Sequence, residues 1–382
     1  MGGLEKCLID LCNHIDYQKY SVDLYLFNDG RDLLPQLNQN VNVLPDSPYY
    51  SAVFNFPLTK SLKYLFKNKQ YILCLYRLLR FLKARLHRNK FSDFDWKMMK
   101  KTMLEICDKY DSALGFEEET ACYYVAECVD AKIKSGWIHT DIKAIDTNRN
   151  LDRRAFNKLN HICTVSNNSL NSLKELFPEY KSKYQLFFLP SLFDYDKITE
   201  LAKEEVSFDK DYINVVSVGR LVELKGFHLC VKPLLRLINE NYKIKWYIVG
   251  EGPFRNEIEK LIEENGLNEY FILLGNQPNP YKYIYNSDFC VQPSSYEGMS
   301  LVIAEELHFK KPVIATNIPS YAQVIVNEKN GLLINRTEQD IFDTIKRILD
   351  DKDLFDSLKN TDIHLFNKDE TLKQLEVILN EN

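Results

Sequence analysis

The sequence lacks several features that define common classes of protein. No stretch of about 18 uncharged apolar residues is present, so no membrane-spanning helix is predicted. The first residues, MGGLEKCLIDLC, lack the basic segment and apolar run of a secretory signal peptide. The nine cysteines are scattered without a C-x-x-C pair, which favours reduced thiols over a disulfide framework or a zinc site. We therefore expect a cytoplasmic protein.

Phosphate-binding signatures and a strong net charge are also missing. Neither a G-x-x-x-x-G-K-[ST] sequence nor a complete G-x-G-x-x-G sequence occurs, so two common nucleotide-binding fingerprints are absent. The net charge is −5, so we expect no nucleic acid among the partners. The D-x-D sequences at 93–95 and 194–196 lie outside the loops described below. We interpret them as surface acids and expect no metal.

A regular alternation of strand and helix patterns is present over 382 residues, a length that suits two domains. In the C-terminal half, strands are predicted at Ile213–Val218, Ile244–Val249, Phe271–Leu274, Phe289–Gln292, Pro312–Ala315 and Gly331–Ile334. Helices are predicted between them at Phe227–Glu240, Phe254–Asn265, Tyr281–Asn286, Leu301–Phe309 and Gln339–Leu349. This order predicts an α/β fold with parallel sheets, which bind ligands at the carboxyl ends of their strands.

The N-terminal half has the same character with less regularity. Strands are predicted at Val22–Phe27, Val41–Leu44, Ser112–Phe116, Gly136–His139, Ile162–Val165 and Tyr184–Leu189. Helices are predicted at Leu4–Asn13, Ile72–Arg88, Lys97–Tyr110, Glu118–Ile133 and Leu170–Leu176. A charged stretch at 195–211 marks the expected domain boundary. The first helix follows Met1-Gly2-Gly3 directly, so we expect that the first strand of this domain is missing.

The strongest chemical signal is the sequence SSYEGMSLVIAE. A strand pattern ends before it and a helix pattern begins near Met299, so free amides at the helix start can bind an anion. Gly298 lets a ligand approach the backbone closely. Glu297 and Glu305 supply two carboxylates, which are good acceptors for sugar hydroxyls. From spacing alone, an ordinary amphipathic helix with two surface acids explains the same residues.

Two further strand-to-helix loops carry glycine and charge. The sequence GRLVELKG follows the strand INVVSV and contains Arg220 and Lys225. Fixed cations in such a loop stabilise the negative charge that develops on a departing diphosphate. A capped turn with solvated cations is the alternative. The third loop, VGEGP, is a weak signal by itself.

Together, GRLVELKGF, VGEGP, LLGNQPNPY, PSSYEGMSLVIAEEL and KPVIAT resemble the retaining glycosyltransferases of family 4, which have the GT-B fold. The Glu-x7-Glu pattern, here Glu297 to Glu305, is the hallmark of that family. The segments GGLEK, WIHTD and TVSNN are weaker matches in the N-terminal half. The details resemble bacterial enzymes that build capsules or other lipid-linked surface glycans.

The resemblance implies a donor site and a set of roles. Arg220 and Lys225 would bind the diphosphate, Glu305 the ribose hydroxyls and Glu297 the donor sugar. His139 would face the reacting sugar or acceptor, orienting a substrate in preference to acting as a general base; a structural histidine is the alternative. The implied catalytic residues are Glu297, His139, Arg220 and Lys225. Further implied donor-binding residues are Gly2, Gly3, Gly219, Gly250, Asn276, Gly298, Met299, Ser300 and Leu301.

The resemblance also implies the reaction and the domain layout. A hexose or N-acetylhexosamine would move from a nucleoside-diphosphate sugar, with UDP as the expected nucleotide, to a lipid-linked or growing polysaccharide acceptor. The anomeric configuration would be retained, without a metal or other cofactor. Residues 1–200 would form an acceptor-binding Rossmann-like domain, residues 201–361 a donor-binding one, with parallel sheets facing an interdomain cleft. A C-terminal helix at 362–382 would cross back to the first domain.

One departure from the family pattern is Glu306, which stands where a small residue is usual. It adds a carboxylate near the ribose site or points to solvent.

Residues 59–90 contain ten Lys or Arg and no Asp or Glu. Within 70–88, apolar residues recur at helical spacing with cations between them, which predicts a helix with a basic face. Such a helix can lie on an anionic membrane surface, here the inner face of the plasma membrane. The alternative is a helix packed on its own domain with a solvated basic face.

Two other functions are weighed against a glycosyltransferase. A sugar-nucleotide epimerase or a phosphorylase is disfavoured, since the motif arrangement differs from the epimerases and phosphorylases require a much longer chain. A non-catalytic partner subunit of a glycosyltransferase complex is favoured by the missing strand, and UDP binding separates it from an active enzyme.

Overall fold

The computed structural model of the chain describes residues 3–27, 31–85, 91–299, 301–359 and 368–380. The strands of the first half are β1 Val22–Leu24, β2 Val41–Val43, β3 Lys109–Gly115, β4 Asp130–Ile138, β5 His161–Thr164 and β6 Tyr184–Leu186. The helices of the first half are α1 Gly3–His14, α2 Pro48–Phe54, α3 Leu58–Lys67, α4 Tyr71–Arg85, α5 Asp93–Lys100, α6 Thr120–Cys128, α7 Arg149–Lys158 and α8 Asn167–Leu176.

The second half alternates more strictly. Its strands are β7 Ile213–Val218, β8 Ile244–Val249, β9 Phe271–Gly275, β10 Phe289–Gln292, β11 Val313–Thr316 and β12 Leu332–Ile334. Its helices are α9 Tyr195–Ala202, α10 Val231–Asn239, α11 Arg255–Glu264, α12 Tyr281–Asn286, α13 Leu301–His308, α14 Glu338–Asp350, α15 Lys352–Ser357 and α16 Lys368–Leu379. Short 3-10 helices lie at Arg31–Gln36, Pro178–Lys183, Leu189–Leu192, Glu223–Lys225 and Phe227–Cys230.

The chain divides into two compact units. The first comprises Met1–Val165, Ser169–Leu192 and Lys368–Asn382, and the second comprises Ser166–Asn168 and Phe193–Asn367. Helix α16 therefore belongs to the first unit, although it comes last in the sequence.

The second unit is built on a six-stranded parallel sheet in the order β12-β11-β10-β7-β8-β9. Its strands are continuous apolar sequences because helices cover both faces. In β7, Val215 packs with Trp246 and Phe289 on one face, whereas Val216 packs with Tyr247 on the other. The predicted α/β fold with parallel sheets is confirmed here.

The first unit contains a four-stranded parallel sheet, β3-β4-β5-β6, and a separate parallel pair, β1-β2. Its main core surrounds the fully buried side chains of Trp96, Tyr123 and Phe156. In the described part of the chain, β1 pairs only with β2, and α1 is the first element.

Two helices predicted in the first half were wrong in extent. The helix expected at Lys97–Tyr110 is α5, which begins after a capping box formed by Ser92 and Asp95 and ends at Lys100. The helix expected at Glu118–Ile133 ends at Cys128, and β4 begins at Asp130. Residues 101–108 form a turn and a loop before β3, whereas residues from Asp130 onward pair with β3, so in the second place strand pairing overrides the local helix pattern.

The interpretation of Asp95 as a surface acid was also wrong. Its side chain is 7% exposed and accepts hydrogen bonds from the Ser92 amide at 3.0 Å and the Tyr76 hydroxyl at 3.1 Å. These contacts make Asp95 a helix-capping residue.

Candidate donor site

Loops of the second unit leave the same edge of the sheet. β7 and β8 pair in register to their last residues, and they are followed by Gly219 and Gly250. β9 ends at Gly275 and is followed by the exposed Asn276. Because the strands are parallel, their carboxyl ends meet at one edge, where the predicted donor-binding residues of this unit lie.

Two glycines allow these loops to touch through their backbones. Gly250 has φ +153°, and a Cβ atom there would lie 1.9 Å from the carbonyl oxygen of Gly219. Gly226 has φ +73°, and its Cβ would lie 2.2 Å from the carbonyl oxygen of Pro293. Neither position accepts a side chain without movement of the neighbouring loop.

Arg336 joins the loops that follow β7 and β10. Its Nε donates to the Pro293 carbonyl at 3.1 Å, and its terminal nitrogen donates to the Glu223 carbonyl at 3.0 Å. A planar guanidinium with several donors suits such a bridge. Arg336 lies in no recognised motif, so its role was not predicted from the sequence.

An ion pair lies at the centre of the site. The Lys225 Nζ is 2.5 Å from the Glu297 Oε1, and these side chains are 19% and 17% exposed. The same carboxylate oxygen accepts from the Ser294 hydroxyl at 2.8 Å and from the Tyr321 hydroxyl at 3.3 Å. Three donors therefore fix the orientation of Glu297, and two of them, Ser294 and Tyr321, were not predicted to do so.

Arg220 lies in the same loop as Lys225. Its side chain is exposed and forms no ion pair with any residue that the structure describes. A guanidinium in this position is available to an anionic ligand.

Helix α13, which follows the loop after β10, carries two adjacent buried acids. Glu305 is 6% exposed and Glu306 is fully buried. The Gln292 Nε2 donates to the Glu306 Oε1 at 2.6 Å. The alternative in which Glu306 points to solvent was therefore wrong, because its side chain is buried and contacts Gln292 of β10.

The other predicted residues of this segment are only partly covered. Gly298, Met299 and Leu301 are half-buried at the entrance to α13, which begins at Leu301. Ser300 and Gly2 lie outside the described residues, and Gly3 is the first residue of α1.

Comparison with known proteins identifies the domain that carries this site. The sequence model of the family described as Glycosyl transferases group 1 matches residues 198–363. Over nearly its whole length the chain superimposes on HepE of Anabaena in complex with UDP, with a TM-score of 0.68, 17% identity, and coverage of 98% of this chain and 96% of HepE. The chain has the GT-B fold, and residues 198–363, within its second unit, match a glycosyltransferase family.

Curated relatives agree with this assignment. The chain is 32% identical over 196 residues to the N-acetylgalactosamine-N,N'-diacetylbacillosaminyl-diphospho-undecaprenol 4-alpha-N-acetylgalactosaminyltransferase of Campylobacter jejuni, covering 50% of this chain. It is 30% identical over 159 residues to the lipopolysaccharide core biosynthesis glycosyltransferase LpsD of Rhizobium meliloti, covering 41% of this chain. These matches span 52% and 45% of the two relatives, so the chain matches about half the length of each.

In the first unit of this GT-B protein, His139 directly follows β4. Its ring packs against Phe116 and stacks on Trp137, with centroid distances of 4.8 and 5.9 Å. Burial lowers its pKa to about 4, and its Nε2 has no hydrogen-bond partner among the described residues. A ring that is neutral at pH 7 is a weak base, which suits an orienting role more than general-base catalysis.

The basic segment of the GT-B chain forms the helical hairpin α3–α4, and residues 86–90 lie outside the described part. The face of α4 displayed to solvent is apolar: Ile72, Leu75, Leu79 and Leu82 are 63%, 60%, 41% and 53% exposed. The expectation of a displayed basic face was therefore incomplete. No helix in the described ranges is long and apolar enough to cross a membrane.

Several cations of α4 are engaged within the unit. Arg77 donates to the Phe56 carbonyl at 3.2 Å, and Lys83 lies 3.8 Å from the Asp95 carboxylate. Arg80 stacks over Phe54 at 4.5 Å. Two lysines of α3 without an ion pair among the described residues, Lys63 and Lys67, line a groove together with Phe66 and Leu78.

Proposed function

We propose that the chain is a retaining glycosyltransferase that moves a hexose or N-acetylhexosamine from a nucleoside-diphosphate sugar to a lipid-linked or growing polysaccharide acceptor. The observation that carries the proposal is the Lys225–Glu297 pair, with Arg220 beside it, at the carboxyl ends of a parallel sheet. UDP in the HepE complex supports UDP as donor nucleotide. The diphospho-undecaprenol in the name of the Campylobacter jejuni relative supports a lipid-linked acceptor in surface glycan synthesis.

The cations stabilise the leaving group. When the bond between the sugar C1 and the diphosphate oxygen breaks, negative charge develops on the diphosphate. Arg220 and Lys225 offset that charge, and they offset it most in the transition state. Lys225 gives up its contact with Glu297 and contacts the phosphate oxygens. The Glu297 carboxylate is then available to accept hydrogen bonds from hydroxyls of the donor sugar.

The remaining groups bind and orient. The Glu305 carboxylate accepts hydrogen bonds from the ribose hydroxyls. The backbone amides of Gly298, Met299 and Leu301 contact the sugar and the phosphates. His139, as a neutral ring, orients the reacting sugar or acceptor. With two fixed cations at the diphosphate, the reaction proceeds without a metal.

A panel of nucleotide sugars, incubated with an undecaprenyl-diphosphate-linked glycan acceptor, tests the proposal. We expect one UDP-sugar to give a product larger by one sugar in mass spectrometry, with the donor's anomeric configuration by NMR. Excess EDTA is expected to change the rate by less than about twofold, because the cations of the site are side chains.

The outcomes separate the parts of this proposal. An inverted product contradicts retention, and an EDTA-sensitive rate restored by Mg²⁺ or Mn²⁺ contradicts metal independence. Absence of both transfer and donor hydrolysis across the panel contradicts the proposal as a whole.

We also propose that the α3–α4 hairpin docks on an anionic lipid surface, at the inner face of the plasma membrane. A contiguous set of large exposed apolar side chains is unusual on a free surface and marks an interaction site. Here Phe66 and Ile72 are 66% and 63% exposed, and cations without an ion pair among the described residues flank them. Apolar side chains entering the acyl boundary, with lysines at the headgroups, fit such a surface.

Flotation with vesicles containing anionic lipid tests the docking surface. The double substitution Leu75→Asp and Leu79→Asp is expected to reduce the floated fraction at least about tenfold, because two side chains that contribute roughly 1.5–3 kcal/mol each become charged. Val326→Asp, which changes an apolar side chain 53% exposed in the second unit, is the matched control. Equal flotation of the double variant and the control contradicts this surface.

A further inference from the structure

Glu306 is the one fully buried carboxyl group of the described donor-site residues. It lies on α13 directly after Glu305, and its side chain is directed into the unit against β10. A buried carboxylate without a cationic partner is costly, because desolvation penalises the charged form. The question is how the protein accommodates this group beside a site for a dianionic ligand.

The contacts of Glu306 fit the neutral acid. One oxygen, Oε1, accepts from the Gln292 Nε2 at 2.6 Å, whereas Oε2 has no hydrogen-bond partner among the described residues and is itself inaccessible to solvent. An ionised carboxylate has about four acceptor sites to satisfy, and a protonated one needs fewer. The oxygen left without a partner costs less free energy in the neutral acid than in the anion, because burial penalises the charged form far more.

The groups that face Glu306 come from four segments. Gln292 and the Cys290 thiol lie on β10, and Glu305 lies on α13 itself. Lys225 acts on it from the loop after β7, and Tyr321 from the segment after β11. Burial and the charge of Glu305 raise the pKa of Glu306 to about 8, against the opposing effects of Gln292, Cys290 and Lys225.

We propose that Glu306 is a positioning residue of the donor site. The site binds the nucleoside diphosphate while the Glu306 carboxyl group is neutral, and ionisation of this group weakens that binding. This inference rests on the proposed function, since it concerns the same diphosphate site. While Glu306 is neutral, the negative charges of Glu297 and Glu305 are offset by the positive charges of Arg220 and Lys225. The charges of the site are therefore balanced before the donor binds. Ionised Glu306 adds a third carboxylate in a poorly solvated position and competes with the diphosphate for Lys225.

The sign of the pH effect follows directly. Below pH 8 the Glu306 carboxyl keeps its proton and donor affinity is full. As the pH rises through about 8, the proton leaves and affinity falls. By linkage, bound UDP in turn raises the pKa of Glu306. The same shift makes the folded state bind more protons than the unfolded one between the ordinary value of 4.5 and about 8, so stability falls as the pH rises through that window.

Calorimetric titration with UDP between about pH 7 and pH 9 tests the proposal, since the terminal phosphate, with a pKa near 6, is ionised throughout. Wild-type affinity is expected to fall about tenfold across this range, which is about 1.4 kcal/mol. Glu306→Gln, of nearly the same shape and permanently neutral, is expected to keep its pH 7 affinity throughout. Glu263→Gln, on the exposed face of α11, is the control and is expected to follow the wild type.

The outcomes distinguish this inference from the proposed function. If the wild type binds UDP with an affinity that does not change with pH, or if Glu306→Gln shows the same fall, the role of Glu306 is overturned and the donor site stands. If the wild type binds no UDP at any pH, the proposed function itself is overturned.

A second measurement needs neither UDP nor a folded variant. Infrared spectra of the wild type are expected to show a carboxylic-acid band that persists at about pH 7 and disappears through about pH 8, well above the ordinary range for carboxyl groups. Disappearance of all such bands by about pH 6 overturns the neutral-acid assignment.

Discussion

Replacing Lys225 with alanine is expected to lower the rate of sugar transfer about 100- to 1,000-fold, which is the loss that follows removal of one fixed group that stabilises transition-state charge. The substitution removes the cation that contacts Glu297 at 2.5 Å and leaves that carboxylate to repel the diphosphate. Steady-state rates with the active nucleotide sugar are the measurement. Because the interaction strengthens as the bond breaks, kcat falls together with kcat/KM.

Lys232→Ala is the matched control for that experiment. Lys232 lies on α10 of the same unit, is 60% exposed and pairs with Glu338 at 3.3 Å. An exposed pair of this kind contributes little to stability or binding. If Lys225→Ala retains the activity of Lys232→Ala, Lys225 has no role in catalysis.

Replacing Gly250 with alanine is expected to destabilise the second unit by about 3 kcal/mol, because strain at positive φ and an overpacked contact combine. The added Cβ would lie 1.9 Å from the Gly219 carbonyl oxygen, so the loops after β7 and β8 must separate. For a unit of this size, the expected fall in the unfolding temperature is about 6–12 °C. Thermal unfolding followed by circular dichroism measures it.

Gly266→Ala separates strain from collision. Gly266 also has a positive φ, +68°, but no atom lies within 4 Å of its added Cβ. It is expected to cost about 1 kcal/mol, from backbone strain alone. Equal destabilisation by the two substitutions would mean that the close approach of the two loops is not important for stability.

The second unit was predictable from sequence because its local signals agree. The strands are short apolar runs, most of them buried on both faces, and the loops after β7, β8 and β10 contain glycine or proline. The predicted bounds of β7, β8 and β10 are those of the structure. Lys225 and Glu297, 72 residues apart, were placed in one site because parallel strands bring their carboxyl ends together.

The first unit was less predictable because its local patterns conflict with its packing. Residues after Lys100 contain apolar side chains at spacings that fit a helix, yet Met103 is buried in a loop before β3. The sequence DAKIKS fits a helix end as well as a strand, and the pairing of β4 with both β3 and β5 decides it. Strand pairing over long separations leaves little trace in local periodicity.

The site residues that were not predicted contact partners that are far from them in the sequence. Arg336 contacts Pro293 across 43 positions, and Tyr321 reaches Glu297 from beyond β11. Neither lies in a glycine-rich loop, and neither has a spacing that marks it. The environment of Glu306 was also undecidable from sequence, because whether an acid on a helix faces solvent or the core depends on what packs against that helix.

Calorimetric titration of the chain with UDP at about pH 7 measures directly whether this sheet edge binds a nucleoside diphosphate. We expect saturable binding of one UDP per chain with a dissociation constant between micromolar and millimolar, lost in Lys225→Ala and retained in Lys232→Ala. Absence of binding in the wild type would contradict the donor site and favour a non-catalytic partner subunit.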